Sequence, residues 1–158
     1  MLLEIEQAII ERLGQKGISA EAWSGKPDEL FYKPKVMPAV RFVLEGIDFH
    51  EMQFPGHYGA VLTGSCLVFF RSLRDKGQGA YEVIETILNA ISGYEAWGFD
   101  LRVKTVKLLY HEAGEFCYQI QFAGYGKYIV PYEEEVPLTR RITTYEGEEL
   151  SSDVSKEE

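Results

Sequence analysis

The chain has 158 residues, 46% apolar and 26% charged, with a formal net charge of −9. That suits one domain with a proper core, and no apolar run reaches the roughly 18 residues that mark a membrane helix. The acidic balance argues against tight nucleic-acid binding, where phosphates reward clustered Lys and Arg, and against an anionic membrane surface.

The charge is uneven. Residues 146–158 hold six acids against Lys156, a net −5, which leaves −4 on the body and room for a local basic patch. The opening MLLEIEQAIIERLGQ places Glu4 and Glu6 among its first apolar residues. An export signal would start basic and continue apolar, so the cytoplasm is the expected compartment.

Residues 2–13 read as a helix, with Leu2, Ile5, Ile9 and Leu13 on one stripe and Gly14 and Gly17 ending it. Residues 18–23 suit a short strand. The following SGKPDELFYKPKVMP carries three prolines, which cannot donate to a sheet ladder, so it reads as loop or edge. Residues 39–46 alternate, with Val40, Phe42 and Leu44 facing one way and Arg41, Val43 and Glu45 the other, as in a half-buried strand. Residues 47–59 read as a turn-rich connection.

The centre of the chain is VLTGSCLVFFRSLRDKGQGAYEVIETILNAISG, residues 61–93. Residues 66–70 form a short apolar run rich in β-formers, which predicts a strand covered over much of both faces. A polar loop follows. Then Ala80, Val83, Ile84, Ile87, Leu88 and Ile91 recur at helical spacing, with Gly93 just past the last of them. Each large aliphatic side chain that this stripe buries is worth about 1.5–3 kcal/mol.

Residues 94–100 read as a loop presenting two aromatics, Trp97 and Phe99. Residues 101–111 and 116–123 predict a β-hairpin around Glu112-Ala113-Gly114-Glu115. From Gly124 the texture changes, with two prolines, three consecutive glutamates and short apolar pieces. The expected division is an α+β core over residues 1–126, an extended arm over 127–145, and an acidic tail over 146–158 too polar to order by itself.

Chemistry needs convergent groups, and the sequence offers few. Gly77 and Gly79 before a helix lack any phosphate-loop frame and read as a flexible connection. His50, Glu51 and His57 have no metal-ligand spacing. Ser65 lacks a nucleophile-elbow frame, and Glu133–Glu135 read as a solvated run. Cys66 and Cys117 fall in predicted strands and read as small core residues that could approach each other if the strands are neighbours. Arg71, Arg74 and Asp75, at the mouth of the central loop, fit two readings. They are a solvated turn with ion pairs worth about 0–1 kcal/mol each, or a contact between subunits, where arginine is favoured. No catalytic residue, metal ligand or cofactor site is expected, and the chain is not expected to be an enzyme.

An apolar strand ending in Arg71-x-Leu73-Arg74, then Gly79-Ala80-Tyr81 opening a helix that ends at Gly93-Tyr94, resembles the small tail protein of Mu-like bacteriophages and prophages, encoded just ahead of the tail sheath. The opening LLEIEQAIIERL, the WSGKPDEL stretch and PAVRFVLEG carry the likeness over roughly residues 1–125. The resemblance implies a tail terminator: a subunit, usually hexameric, that caps the tail tube and sheath and presents the surface that joins the head. It implies assembly in the bacterial cytoplasm and a place in the virion tail.

The fold expected from the element order and from such terminators is α+β, with two main helices on one face of a four- to five-stranded mixed or antiparallel sheet. The candidate contacts with other subunits are Arg71, Arg74, Asp75, Trp97, Phe99, Tyr128, Tyr132, Arg140 and Arg141, with the arm laid along a neighbour's sheet edge. The expected partners are further copies of the chain and the tail tube and sheath proteins. The competing readings are another virion role, as head–tail connector or baseplate part, and a small enzyme or ligand-binding domain.

Overall fold

The structure is a computed structural model that describes residues 1–30, 34, 36–74 and 79–131. Helix α1 (Leu2–Gln15) forms because Ile5, Ile9 and Leu13 recur every four residues, and all three are fully buried. There follow β1 (Ala20–Ala22), a 3-10 turn (Pro27–Glu29), β2 (Ala39–Glu51), β3 (His57–Phe70), α2 (Ala80–Ile91), β4 (Glu95–Ala96), β5 (Phe99–Glu112) and β6 (Glu115–Ile129). In α2 the residues Ala80, Val83, Ile84, Ile87, Ala90 and Ile91 are buried, and Leu88 packs at their margin.

Among the described residues the strands form one sheet in the order β1-β2-β3-β6-β5-β4. Only β1 runs parallel to its neighbour. The expectation of two helices on a four- to five-stranded sheet is overturned. Six strands, four of them 13 to 15 residues long, curl into a half-barrel that dominates the molecule. The helices cover part of one face.

The error has an identifiable cause. Residues 47–59 are a hairpin, with β2 running on to Glu51 and β3 starting at His57. A bulge between Leu44 and Gly46 shifts the alternation, so a two-residue period read through Glu45 breaks there. Pro55-Gly56 is the turn signal, and Gly56 has a φ of +79°.

The core has two sides. Towards the helices lie Val40, Phe42, Leu62, Cys66, Val68, Phe70, Leu101, Ile120 and Phe122. On the opposite face Leu67, Phe69 and Cys117 are covered by Leu30, Met37, Val43, Leu109 and Tyr110. The C-terminal half of β3 is therefore buried on both sides, as its unbroken apolar run predicts. The two cysteines are on adjacent strands but on opposite faces, since Cys66 pairs with Ile120 and Cys117 with Phe69. Burial pushes each thiol up to about 12. For Cys117, Arg41 nearby and a backbone hydrogen bond pull the other way without cancelling it.

The second hairpin, β5–β6, closes as expected around Ala113-Gly114, both at positive φ, with Glu112 opposite Glu115. The boundary expected at residue 126 falls inside β6, which continues to Ile129. The glycines of this stretch have a packing role. A Cβ on Gly126 would stand 2.8 Å from the Gly98 carbonyl oxygen and 2.8 Å from Phe99 Cδ1, and one on Gly124 would stand 2.9 Å from Leu101 Cδ2. Glycine in this strand marks the close approach of the β4–β5 turn.

Gly126→Ala forces backbone to move and is expected to cost about 1–3 kcal/mol. The measure is the denaturant midpoint, and an unchanged midpoint refutes the packing role. The thiols set a second expectation. Below pH ~8.5 both folded and unfolded chains hold their thiol protons. Above it the unfolded chain releases protons that the folded chain keeps. Stability is then lost at about 1.4 kcal/mol per pH unit for each thiol until about pH 12. A Cys66→Ala, Cys117→Ala double variant should show a shallower alkaline decline than the parent in denaturant titrations. Equal slopes would contradict the burial.

Candidate functional site

The pattern that opens and closes the central block is used to fasten elements together. After β3 the chain folds back so that Ser72 and Leu73 carbonyls accept the Ala80 and Tyr81 N–H groups at 2.9 and 3.2 Å, pinning the loop to the start of α2. Leu73 packs on the core. At the other end of α2, Gly93 N–H donates to Leu101 O and Leu101 N–H to Tyr94 O, both at 2.9 Å. Arg12 lies over the Tyr94 ring at 4.9 Å and donates to Ala90 O at 3.0 Å, tying α1 to α2. Most of the motif is thus architectural.

Of the expected contact residues, Arg71 is exposed and its Nε stands 3.8 Å from Glu115 Oε2, across the end of the sheet. Arg74 is exposed, with its guanidinium 6.0 Å from the Tyr81 ring. Trp97 is 58% exposed at the tip of the β4–β5 turn, whose two residues, Trp97 and Gly98, both have positive φ. Phe99 was expected at the surface beside it, but it is 1% exposed and belongs to the core, lodged against Gly124 and Gly126. The loop pattern hid it: Phe99 begins a strand, and its side chain points inward. Tyr128 is half-buried, its ring centroid 5.6 Å from that of Phe49. Asp75, Tyr132, Arg140 and Arg141 lie outside the described residues.

Tyr128 belongs to a surface that the sequence reading missed. Phe49 also meets Tyr58 edge-on at 6.3 Å. Around this aromatic group stand Met52, Ile129, Val130 and Phe54, the last 64% exposed. Val130 N–H donates to Gly56 O at 2.9 Å, so the end of β6 is bound to the β2–β3 turn. A cluster of exposed large apolar side chains at one end of a sheet is the kind of patch that marks a contact with another protein. The alternation of Ile47, Phe49 and Glu51, followed by Pro55-Gly56, carried the signal.

The face away from the helices holds a polar network beside its apolar cluster. The bulge turns Glu45 outward, where its carboxylate accepts from the Ser65 hydroxyl, from Gln121 Nε2 at 3.2 Å and from Gln119 Nε2 at 3.5 Å. Gln119 also donates to Ser65 Oγ at 2.9 Å. An open depression of about 260 Å³ lies there, lined by Leu30, Val43, Glu45, Leu67 and Leu109 among others. The carboxylate is occupied by three donors from β3 and β6, so the network fixes strand register. Among the described residues no three His, Cys, Asp or Glu side chains are placed to share a metal ion. His111 stacks on Phe116 at 4.5 Å and His57 meets Phe54 at 5.9 Å.

Among the described residues the sheet has two largely open edges. β1 pairs with β2 only at Val40, Arg41 and Phe42, and β4 pairs with β5 only at Phe99 and Asp100. Among the described residues, residues 43–51 of β2 and 102–108 of β5 have no strand beyond them. Open edges template pairing with another chain unless they are managed.

No protein-family model matches the sequence, and neither does any curated protein. Among solved structures, the chain is similar in fold to a chain from the virion of a native gene transfer agent particle. The TM-score is 0.53 and the identity 15%, over 77% of this chain and 93% of that one. At that identity the likeness is one of fold alone.

Proposed function

We propose that this protein is a structural subunit of a phage-like virion, and within it a tail terminator or completion subunit. In this role it caps the tail tube and sheath as a homo-oligomeric ring and contributes to head–tail joining. The observation that carries the reading is the fold shared with nearly the whole of a gene transfer agent virion chain. The choice of terminator rests on the resemblance of the Arg71-x-Leu73-Arg74 and Gly79-Ala80-Tyr81 block to the small tail protein of Mu-like phages. The exposed apolar end of the β2–β3 hairpin and the open sheet edges suit a subunit that works by contact. The role assigns it no catalysis, places its assembly in the bacterial cytoplasm, and makes the tube and sheath proteins its partners.

Electron microscopy of particles made without the protein tests this reading. Tails of uncontrolled length, or finished tails left unjoined to heads, are the expected result. Normal joined tails that lack a baseplate would assign it to the opposite end. At residue level, Phe54→Asp should leave the thermal midpoint within about 2 °C, because an exposed turn substitution changes stability little. It should also abolish capping of tubes. Wild-type capping by that variant would remove the hairpin end from the interface.

A further inference from the structure

The two open edges of the sheet are chemically complementary. Among the described residues, 43–51 of β2 and 102–108 of β5 have no strand beyond them. The β2 stretch carries Glu45, Asp48 and Glu51 and no Lys or Arg, while the β5 stretch carries Arg102, Lys104 and Lys107 and no Asp or Glu. Glu45 is committed to Ser65 and Gln121, and Arg102 to Asp100 at 2.7 Å. Asp48, Glu51, Lys104 and Lys107 are exposed. Beside them stand half-exposed apolar side chains, Phe49 on one edge and Val106 and Leu108 on the other. Charges on an edge keep it from pairing with its own kind. Here β2 against β2 would bring acids together, and β5 against β5 would bring lysines together. Only β2 against β5 sets acid beside base.

The strand geometry suits that pairing. Leu101 exchanges backbone bonds with Gly93 and Tyr94, so its amide and carbonyl face away from β6. Val103, Val106 and Leu108 share that orientation, because their partners Phe122, Ile120 and Tyr118 fall in step along β6 with Gly124, the partner of Leu101. On β2, the Phe42 carbonyl accepts the Trp23 N–H from the β1 side. Ile47, Phe49 and Glu51 share its orientation, because Leu62, Ala60 and Tyr58 fall in step along β3 with Cys66, the partner of Phe42. Both sets carry their side chains on the helix side, as do Leu62 and Ile120 opposite them. β2 and β5 run in opposite directions, since three antiparallel pairings separate them. A second copy in the same orientation therefore brings its β2 antiparallel to this β5, with the helix-side faces continuous.

We infer that residues 105–108 of one copy pair with residues 47–50 of the next, with Val106 opposite Phe49, Lys107 opposite Asp48 and Leu108 opposite Ile47. Lys104 then falls beside Glu51. Each strand has a bulge on the way to its far end, and counting through both sets Glu112, the last residue of β5, opposite Val43, the first residue past β1. A shift of two residues one way drives β5 into β1. A shift of two the other way sets Lys107 against His50 and Val106 against Glu51. This contact rests on the ring reading above and specifies it. The two edges are different surfaces, so the contact runs head to tail, and such a contact closes into a ring when its rotation permits.

In this register Lys107 and Asp48 face each other between the bonded pairs, where Cα atoms stand about 4.5 Å apart, within disulfide reach. The test uses the full chain, whose own cysteines are buried and stay out of the reaction. A size-tagged Lys107→Cys copy is mixed with an untagged Asp48→Cys copy and oxidised. A tagged–untagged disulfide is expected, with a much weaker link when Thr105→Cys replaces Lys107→Cys. A stronger link from Thr105→Cys overturns the inference, and so does a link formed within one dilute chain carrying both Lys107→Cys and Asp48→Cys. Separately, Lys107→Glu should weaken assembly about tenfold, from one lost pair and the repulsion that replaces it. Asp48→Lys in the same chain should restore it, and failure to restore counts against the assignment. Rings seen by light scattering with no link at either position sink the edge assignment and spare the ring. A chain that is monomeric at every concentration and unlinked sinks both.

Discussion

The antiparallel ladder between β3 and β6 is the constraint on which the rest of the structure depends. It runs the whole length of β3, from His57 opposite Ile129 to Phe70 opposite Phe116. Side chains on a strand alternate, so a slip of one residue would exchange every inward group for an outward one. Here such a slip would expose Leu62, Cys66, Val68, Ile120 and Phe122 together. Two features guard the register. Gly64 faces Phe122, where an added Cβ would stand 2.7 Å from the ring. On the other face, Ser65 and Gln119 share the Glu45 carboxylate.

Once that ladder is set, the positions of the other parts follow. β2 and β5 pair on either side of it, and the helices settle over the part of the sheet whose inward residues are largest. The same ladder carries the β2–β3 turn and the end of β6 to a common place, where Phe49, Tyr58 and Tyr128 meet. Among the described residues it also leaves β5 with no strand beyond its edge past Asp100. The surfaces suited to assembly are therefore what remains when long strands outrun the elements that cover them. This is compatible with a subunit whose work is done by shape, and it supports the virion role proposed from the shared fold.

Residues 80–91 show what was legible. Their apolar spacing named the helix and its buried face, because a 3.6-residue period survives any tertiary context. Residues 2–13 did the same, and the run from Cys66 to Phe70 announced burial on both faces. The Arg71–Arg74 block was visible as a pattern, but its use in tying Ser72 and Leu73 to the start of α2 was not, since those bonds are made by backbone. Residues 47–59 and 124–129 were misread for one reason. Glycines, prolines and polar outward residues make the ends of long strands look like loop.

The amino-acid order alone determined the two helices, the β5–β6 hairpin and the apolar centre, because each is set by periodicity within about fifteen residues. Tertiary structure decided the number and length of the strands, the inward turn of Phe99 over Gly124 and Gly126, and the gathering of Phe49, Tyr58 and Tyr128 into one patch. Those outcomes depend on cross-strand register between segments far apart in the chain. A local pattern holds no record of which segment will lie beside it.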